Sequence, residues 1–308
     1  MIPRRHSLLA RLAGCWKHAL VTIIDAHVHL YPSEASRSPM TWAEAQKEPL
    51  WAALCTRKRK DGTAVQGFPA MSELLRDMNA AGIRKAVLLG WYWQNHATCV
   101  EHNKFYASCI KAYPGRFSAF ATVHPGAGQA ALDEVKHARD LGFAGLGELS
   151  PHSQGVPLDD PIWRKILALA GELKLPVNLH VTDPNSSAYP GRVDTPLADF
   201  LALAEDFPAT NFILAHWGGG LAWAKRALAL PNLWFDTAAS PLLYGPEVWK
   251  KAPPGRVLFG SDYPLVLYPN LSAHPEFSTI VHAAEAAGAE PAMFRETAAQ
   301  LLGLPDAG

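Results

Sequence analysis

Eight short apolar runs, each followed by a stretch with helical spacing, constrain the fold of this chain more than any other feature. The runs cover residues 22–26, 86–89, 117–123, 144–149, 177–181, 212–216, 233–236 and 257–260. Between them, apolar side chains recur three or four residues apart, as at Leu132, Val135, Ala138 and Leu141, or Ile162, Ile166, Leu169 and Leu173. Near-continuous apolar character marks strands covered on both faces, and hence parallel strands beneath helices. Eight such units predict an α/β fold, a (β/α)8 TIM barrel. A doubly wound open sheet competes, but it does not gather so many strand ends at one place.

The barrel is expected over residues 22–308 as a single domain, with a long loop insertion after the first strand at 31–68. Residues 1–21 read as an N-terminal extension that includes a short amphipathic helix. Arg4 and Arg5 resemble the basic start of a secretory signal, but Arg11, Lys17 and His18 break up the apolar residues that follow. Neither a signal core nor a membrane span is expected there. Cys15, Cys55, Cys99 and Cys109 show no metal-finger or CxxC spacing, so a reducing, cytoplasmic setting is the expectation. Lys plus Arg and Asp plus Glu both number 28, a balance that argues against nucleic-acid and membrane partners. The expected partner is a small-molecule substrate, with a homo-oligomer as the form of assembly.

Polar residues close the apolar runs. His27 and His29 end the first, and side chains two apart on a strand share a face. Glu148 stands in the fourth, His180 in the fifth, His216 ends the sixth, and Asp262 follows the eighth. Each alone reads as a hydrogen-bonded strand-end group. In a closed barrel these ends share one mouth, where imidazoles and carboxylates together suit a divalent metal. Zn²⁺ comes first, with Mn²⁺, Fe²⁺, Co²⁺ and Ni²⁺ as alternatives.

Other residues fall on the same face. Trp91, Tyr92 and Trp93 follow the second strand as a candidate aromatic wall, and His124 follows the third. Tyr189 and Arg192 lie in the long loop at 182–194, while His152 and Tyr268 lie on other loops of that face. Trp91, His124, Tyr189 and Arg192 form the candidate substrate-binding set. Asp236 ends the seventh strand, where it would orient a neighbour. Gly218-Gly219-Gly220 either binds an anion through backbone N–H groups or lets the chain pass close behind His216. The basic run Arg57-Lys58-Arg59-Lys60 reads as a solvated face rather than an anion site.

The Asp25-x-His27-x-His29 motif, with Glu148, His180, His216 and Asp262, resembles the amidohydrolase superfamily. Ala215-His216-Trp217-Gly218-Gly219-Gly220, Phe259-Gly260-Ser261-Asp262-Tyr263-Pro264 and the closing segment 294–304 are similar to its amidohydrolase-related branch (amidohydrolase 2). That branch also contains non-oxidative decarboxylases. Thr297 stands where the branch usually has Asn. The resemblance implies that His27, His29, His180 and Asp262 hold a metal. Glu148 then bridges to a second ion or orients a histidine, so one or two ions are expected. Asp262 would move the proton of an activated water, and His216 would polarise a substrate oxygen. The implied function is a metal-dependent hydrolase acting on a lactone, amide or ester. The alternative is non-oxidative decarboxylation of an aromatic or enoic acid, for which Arg192 is the candidate carboxylate clamp. TatD-type deoxyribonucleases share the His-x-His and the strand-four Glu, but the neutral charge disfavours them. A non-catalytic metal-binding protein is the remaining alternative.

Overall fold

In the computed structural model, residues 22–304 are described. The expected N-terminal extension, with its amphipathic helix and Cys15, lies outside them. Eight parallel strands pair in chain order: β1 (Ile23–Val28), β2 (Ile83–Leu89), β3 (Phe117–Ala121), β4 (Gly145–Leu149), β5 (Val177–Leu179), β6 (Phe212–Leu214), β7 (Leu233–Asp236) and β8 (Val257–Leu258). The chain beyond β8 closes onto β1. Ala26 N–H donates to Phe259 C=O at 2.7 Å, Asp262 N–H to His27 C=O at 2.9 Å, and His29 N–H to Tyr263 C=O at 2.7 Å. These bonds exclude the open sheet and make the fold a TIM barrel.

Local sequence sets the covering helices. Asp160 accepts the N–H groups of Ile162 and Trp163 at 2.8 and 2.9 Å, and Pro161 occupies the first turn. The helix Pro161–Glu172 then buries Trp163, Ile166, Leu167 and Ala170 as one stripe against the barrel. Inside the barrel, Ile24, Ala26, Val87, Phe120, Ile213 and Leu258 pack together with Ala298 and Leu302 of the closing helix Glu296–Leu302. The barrel is therefore filled below the mouth, and the six candidate ligand side chains collect at the strand ends.

The insertion after β1 is more ordered than the loop expected there. It forms the short helices Ser33–Arg37, Pro39–Gln46 and Pro49–Cys55, followed by a small hairpin in which Lys58 pairs with Ala64. Pro39 and Pro49 sit at helix starts, where a missing N–H costs nothing. Tyr31, Trp51 and Trp93 form a second aromatic core there. The Glu48 carboxylate, which accepts the N–H groups of Gln94 and Asn95 at 2.8 and 3.1 Å, ties the insertion to the end of β2. Residues 182–194 form no helix or strand, as expected. Cys55, Cys99 and Cys109 are buried and form no disulfide among the described residues. Among the described residues, no helix is long and apolar enough to cross a membrane.

Candidate metal centre

The barrel brings all six predicted site residues to its mouth. Their ligand atoms form two groups: His27, His29 and Asp262, and Glu148, His180 and His216. Glu148 lies between the groups. Its Oε2 is 3.7 Å from His29 Nε2, while its Oε1 is 2.8 Å from His180 Nδ1 and 3.6 Å from His216 Nε2. His180, assigned by resemblance to the same ion as His27 and His29, stands in the second group. Burial of β4 and β5 side by side places it against Glu148.

Hydrogen bonds outside the cluster set the histidine tautomers. His27 Nδ1–H donates to Asp236 Oδ2 at 2.9 Å, and His29 Nδ1–H donates to the Leu89 carbonyl at 3.1 Å. In each neutral ring Nε2 then carries the lone pair. The two Nε2 atoms face one another at 3.2 Å, and Asp262 Oδ1 lies 3.8 and 3.6 Å from them. In the neutral rings two lone pairs so placed have no bond to make with each other; a proton between them in the metal-free cluster, or a metal ion in its place, satisfies both. Tetrahedral Zn–N bonds of ~2.0–2.1 Å put two nitrogens roughly 3.3–3.4 Å apart, close to this spacing. The residues present therefore fit a divalent metal.

The electrostatics are those of a crowded buried cluster. Burial disfavours the His27 cation, but Asp236, Asp262 and Glu148 outweigh it and raise the ring to about 10. Burial and the neighbouring His27 push His29 down to about 3. At His216 burial again opposes the charge, and Glu148 and Asp262 overcome it, raising the ring to about 9. Burial would raise Glu148, but His180, His216 and His27 hold it well below the usual carboxylate range. Asp262 is raised, chiefly by burial, against the pull of His27 and His216. A metal taking these nitrogens replaces protons there, so binding is coupled to proton release.

Backbone geometry aims two of the site residues. Asp262 and His216 both have left-handed φ, 65° and 58°. His216 begins a run of left-handed residues in which Trp217, Gly218, Gly219 and Gly220 have φ of 57°, 58°, 58° and 99°. The three glycines allow this turn, which a helix start with open N–H groups does not need. Gly260 has a steric role, because a Cβ there would stand 2.7 Å from His27 Cβ. Gly260→Ala is expected to destabilise the protein by about 1–3 kcal/mol and to weaken metal binding. Denaturant unfolding with and without added Zn²⁺ checks both effects.

A cavity of about 560 Å³ opens above the cluster. Trp91, Tyr92 and Tyr189 line it, with the Tyr92 ring 5.1 Å from His180 and the Trp91 ring 5.6 Å from His29. Two residues expected on this wall are elsewhere. Arg192 is not on the lining; its guanidinium is engaged by Asp194 and by Ser186 Oγ at 3.1 Å. His124 falls beyond the end of β3, where its Nδ1 accepts the Gly126 N–H at 3.0 Å and caps a short turn. His152 pairs with Asp199 at 2.9 Å, and Tyr268 is not on the lining.

The cation on the wall is Arg57, from the run that reads as a solvated face. Its guanidinium lies 4.7 Å over the Tyr189 ring. The hairpin carrying it docks directly after Asp262: Gly67 N–H donates to Pro264 C=O at 2.9 Å and Val266 N–H to Val65 C=O at 2.8 Å. No local pattern separates Arg57 from its three basic neighbours, so the sequence holds no signal for this role.

Comparison with known proteins follows the same lines. A family model described as amidohydrolase matches residues 24–304. Comparison with curated proteins finds no match. Among solved structures, the chain is similar to 5-carboxyvanillate decarboxylase from Sphingomonas paucimobilis, with TM-score 0.67 and 15% identity over 92% of this chain and 100% of that one. The Novosphingobium aromaticivorans 5-carboxyvanillate decarboxylase, solved with manganese and 3-methoxy-4-hydroxy-5-nitrobenzoic acid, gives 0.68 and 16% over 92% and 97%. A 2,6-dihydroxybenzoate decarboxylase from Rhizobium gives 0.57 and 18% over 92% and 99%. At such identities the likeness is one of fold.

Proposed function

Since the chain belongs to the amidohydrolase family, we propose that this enzyme is a divalent-metal-dependent, non-oxidative decarboxylase of a small aromatic or enoic acid. The observation that carries the reading is Arg57, a guanidinium on the cavity wall above a metal-fitting cluster. A carboxylate-bearing substrate needs such a cation, and Arg presents a planar fork that matches it. The aromatic residues Trp91, Tyr92 and Tyr189 offer flat apolar surface for a planar substrate. The decarboxylases of similar fold support the same direction.

His27, His29 and Asp262 would hold the ion, with Glu148, His180 and His216 beside it; Zn²⁺ or Mn²⁺ suits such donors. When bound, the metal supplies Lewis-acid polarisation of substrate oxygens. Arg57 orients the acid. Asp262 gives a proton to the carbon bearing the carboxylate. The carbon–carboxylate bond then breaks, its electron pair returns to the unsaturated system, and CO2 leaves without any change in net oxidation. Water restores the proton to Asp262. His216 would hold a substrate oxygen by hydrogen bonding.

Hydrolysis of a lactone, amide or ester is the second reading, favoured by Glu148 lying between two donor groups as a bridging carboxylate would. One assay separates the two readings. Protein loaded with Zn²⁺ or Mn²⁺ is offered hydroxylated benzoic acids, enoic acids, lactones and amides. Release of CO2 is the expected result, and Arg57→Met is expected to lower kcat/KM by 10²-fold or more, from loss of about 3 kcal/mol of charge-assisted bonding. Turnover of lactones or amides alone, unaffected by Arg57→Met, overturns decarboxylation in favour of hydrolysis.

A further inference from the structure

We propose that Asp236, which does not itself reach the metal-fitting cluster, is the positioning residue that fixes the tautomer of His27 and locks the two donor groups together. The inference rests on the metal-dependent reading above. Asp236 ends β7 and is fully buried. Its carboxylate accepts four N–H groups, three of them from other places in the barrel and one from its own segment. Oδ2 receives His27 Nδ1–H at 2.9 Å and Asn178 Nδ2–H at 3.0 Å. Oδ1 receives the backbone N–H of His216 at 3.1 Å and of Ala238 at 3.0 Å.

Two consequences follow from this count. A carboxylate has about four acceptor sites, and all are taken, so Asp236 has no lone pair left for a metal. Every partner is a donor, so only an acceptor at both ends satisfies the site. The bond from His27 Nδ1–H leaves Nε2 as the nitrogen that faces His29, the one a metal would take in exchange for any proton there. The bond from His216 N–H holds the first residue of the left-handed turn, and with it the second donor group. One buried side chain thus sets the directions of a ligand on β1 and of a residue after β6.

Asp236→Asn tests this at nearly constant volume. An amide offers acceptor character at one end only. If its NH2 faces His27, it donates to Nδ1 and moves the ring proton to Nε2, where the metal would bind. If its C=O faces His27, its NH2 meets two backbone N–H groups. Either way, affinity for Zn²⁺ is expected to fall 10- to 100-fold, measured by competition with a chromophoric chelator on the folded protein. Asn178→Ala removes one donor and leaves the carboxylate on His27, so its Zn²⁺ affinity is expected to stay within about threefold of wild type. A merely structural role predicts a lowered melting temperature for both variants with unchanged Zn²⁺ affinity, and that result overturns the proposal. Should Asp236→Asn not fold, ring ¹⁵N spectra of the Zn²⁺-loaded wild type decide. His27 bound through Nε2 with a protonated Nδ1 supports the proposal, and attachment through Nδ1 refutes it. Wild-type protein that takes up no Zn²⁺ refutes the metal-dependent reading itself, a failure visible before any variant is made.

Discussion

His29→Ala is expected to abolish stoichiometric metal binding and to lower turnover by at least ~10³-fold, the equivalent of about 4 kcal/mol of lost transition-state stabilisation. His29 is fully buried at the end of β1, and its ring is held by the Leu89 carbonyl. Its Nε2 lies 3.2 Å from His27 Nε2. Alanine leaves a polar hole that water fills, and His27 and Asp262 alone make a poor site for a divalent ion. The fold should survive, because the Nδ1–H bond lost is one among the many that close the barrel. Metal analysis after dialysis, together with the far-UV circular dichroism spectrum, checks both statements. Full metal content in the variant would move the ion to the Glu148, His180 and His216 group.

Trp163→Ala carries the largest expected cost to stability, about 3–5 kcal/mol. Trp163 is wholly buried on the inner face of the helix Pro161–Glu172, and its indole N–H has no hydrogen-bond partner among the described residues. The loss is therefore almost entirely one of apolar packing and cavity formation. Against a typical total of ~5–15 kcal/mol it is about a fifth of the stability or more. Urea unfolding of the metal-free protein should show a lower midpoint with little change in slope. Trp163→Phe keeps most of the buried volume and should recover much of the loss. A midpoint for Trp163→Ala within experimental scatter of wild type would mean that the helix does not depend on this anchor.

The barrel was legible because burial on both faces forces continuous apolar runs in parallel strands, and all eight runs became strands. The three helices of the insertion were less so. The stretch 31–68 was expected as a loop, because these helices are short and carry no repeating apolar pattern; Pro39 and Pro49 at first-turn positions are visible as cues only once the helices are known. At the mouth, His27, His29, Glu148, His180, His216 and Asp262 were legible because each interrupts or ends an apolar run. Their division into two groups was not, because it depends on how neighbouring strands stagger and which ring nitrogen meets which carboxylate.

The exchange of Arg192 for Arg57 follows from the same limit. Arg192 sits in the right loop but finds Asp194 two residues away. Arg57 lies more than a hundred residues earlier, in a run that reads as solvent-facing, and reaches the cavity because its hairpin pairs with residues 264–266. His124 fell short because β3 ends at Ala121 and the chain turns before reaching the cavity.

By itself, the sequence determined the barrel, the strand ends that carry chemistry and the kind of ligands found there. Those features are periodic or local, and burial imposes them on every strand alike. Only the tertiary structure decided which histidine nitrogens face each other, that Asp236 supports both donor groups, and which arginine looks into the cavity. Each of these depends on contacts between residues far apart in the chain, where distance and direction, rather than residue type, determine what a side chain can do.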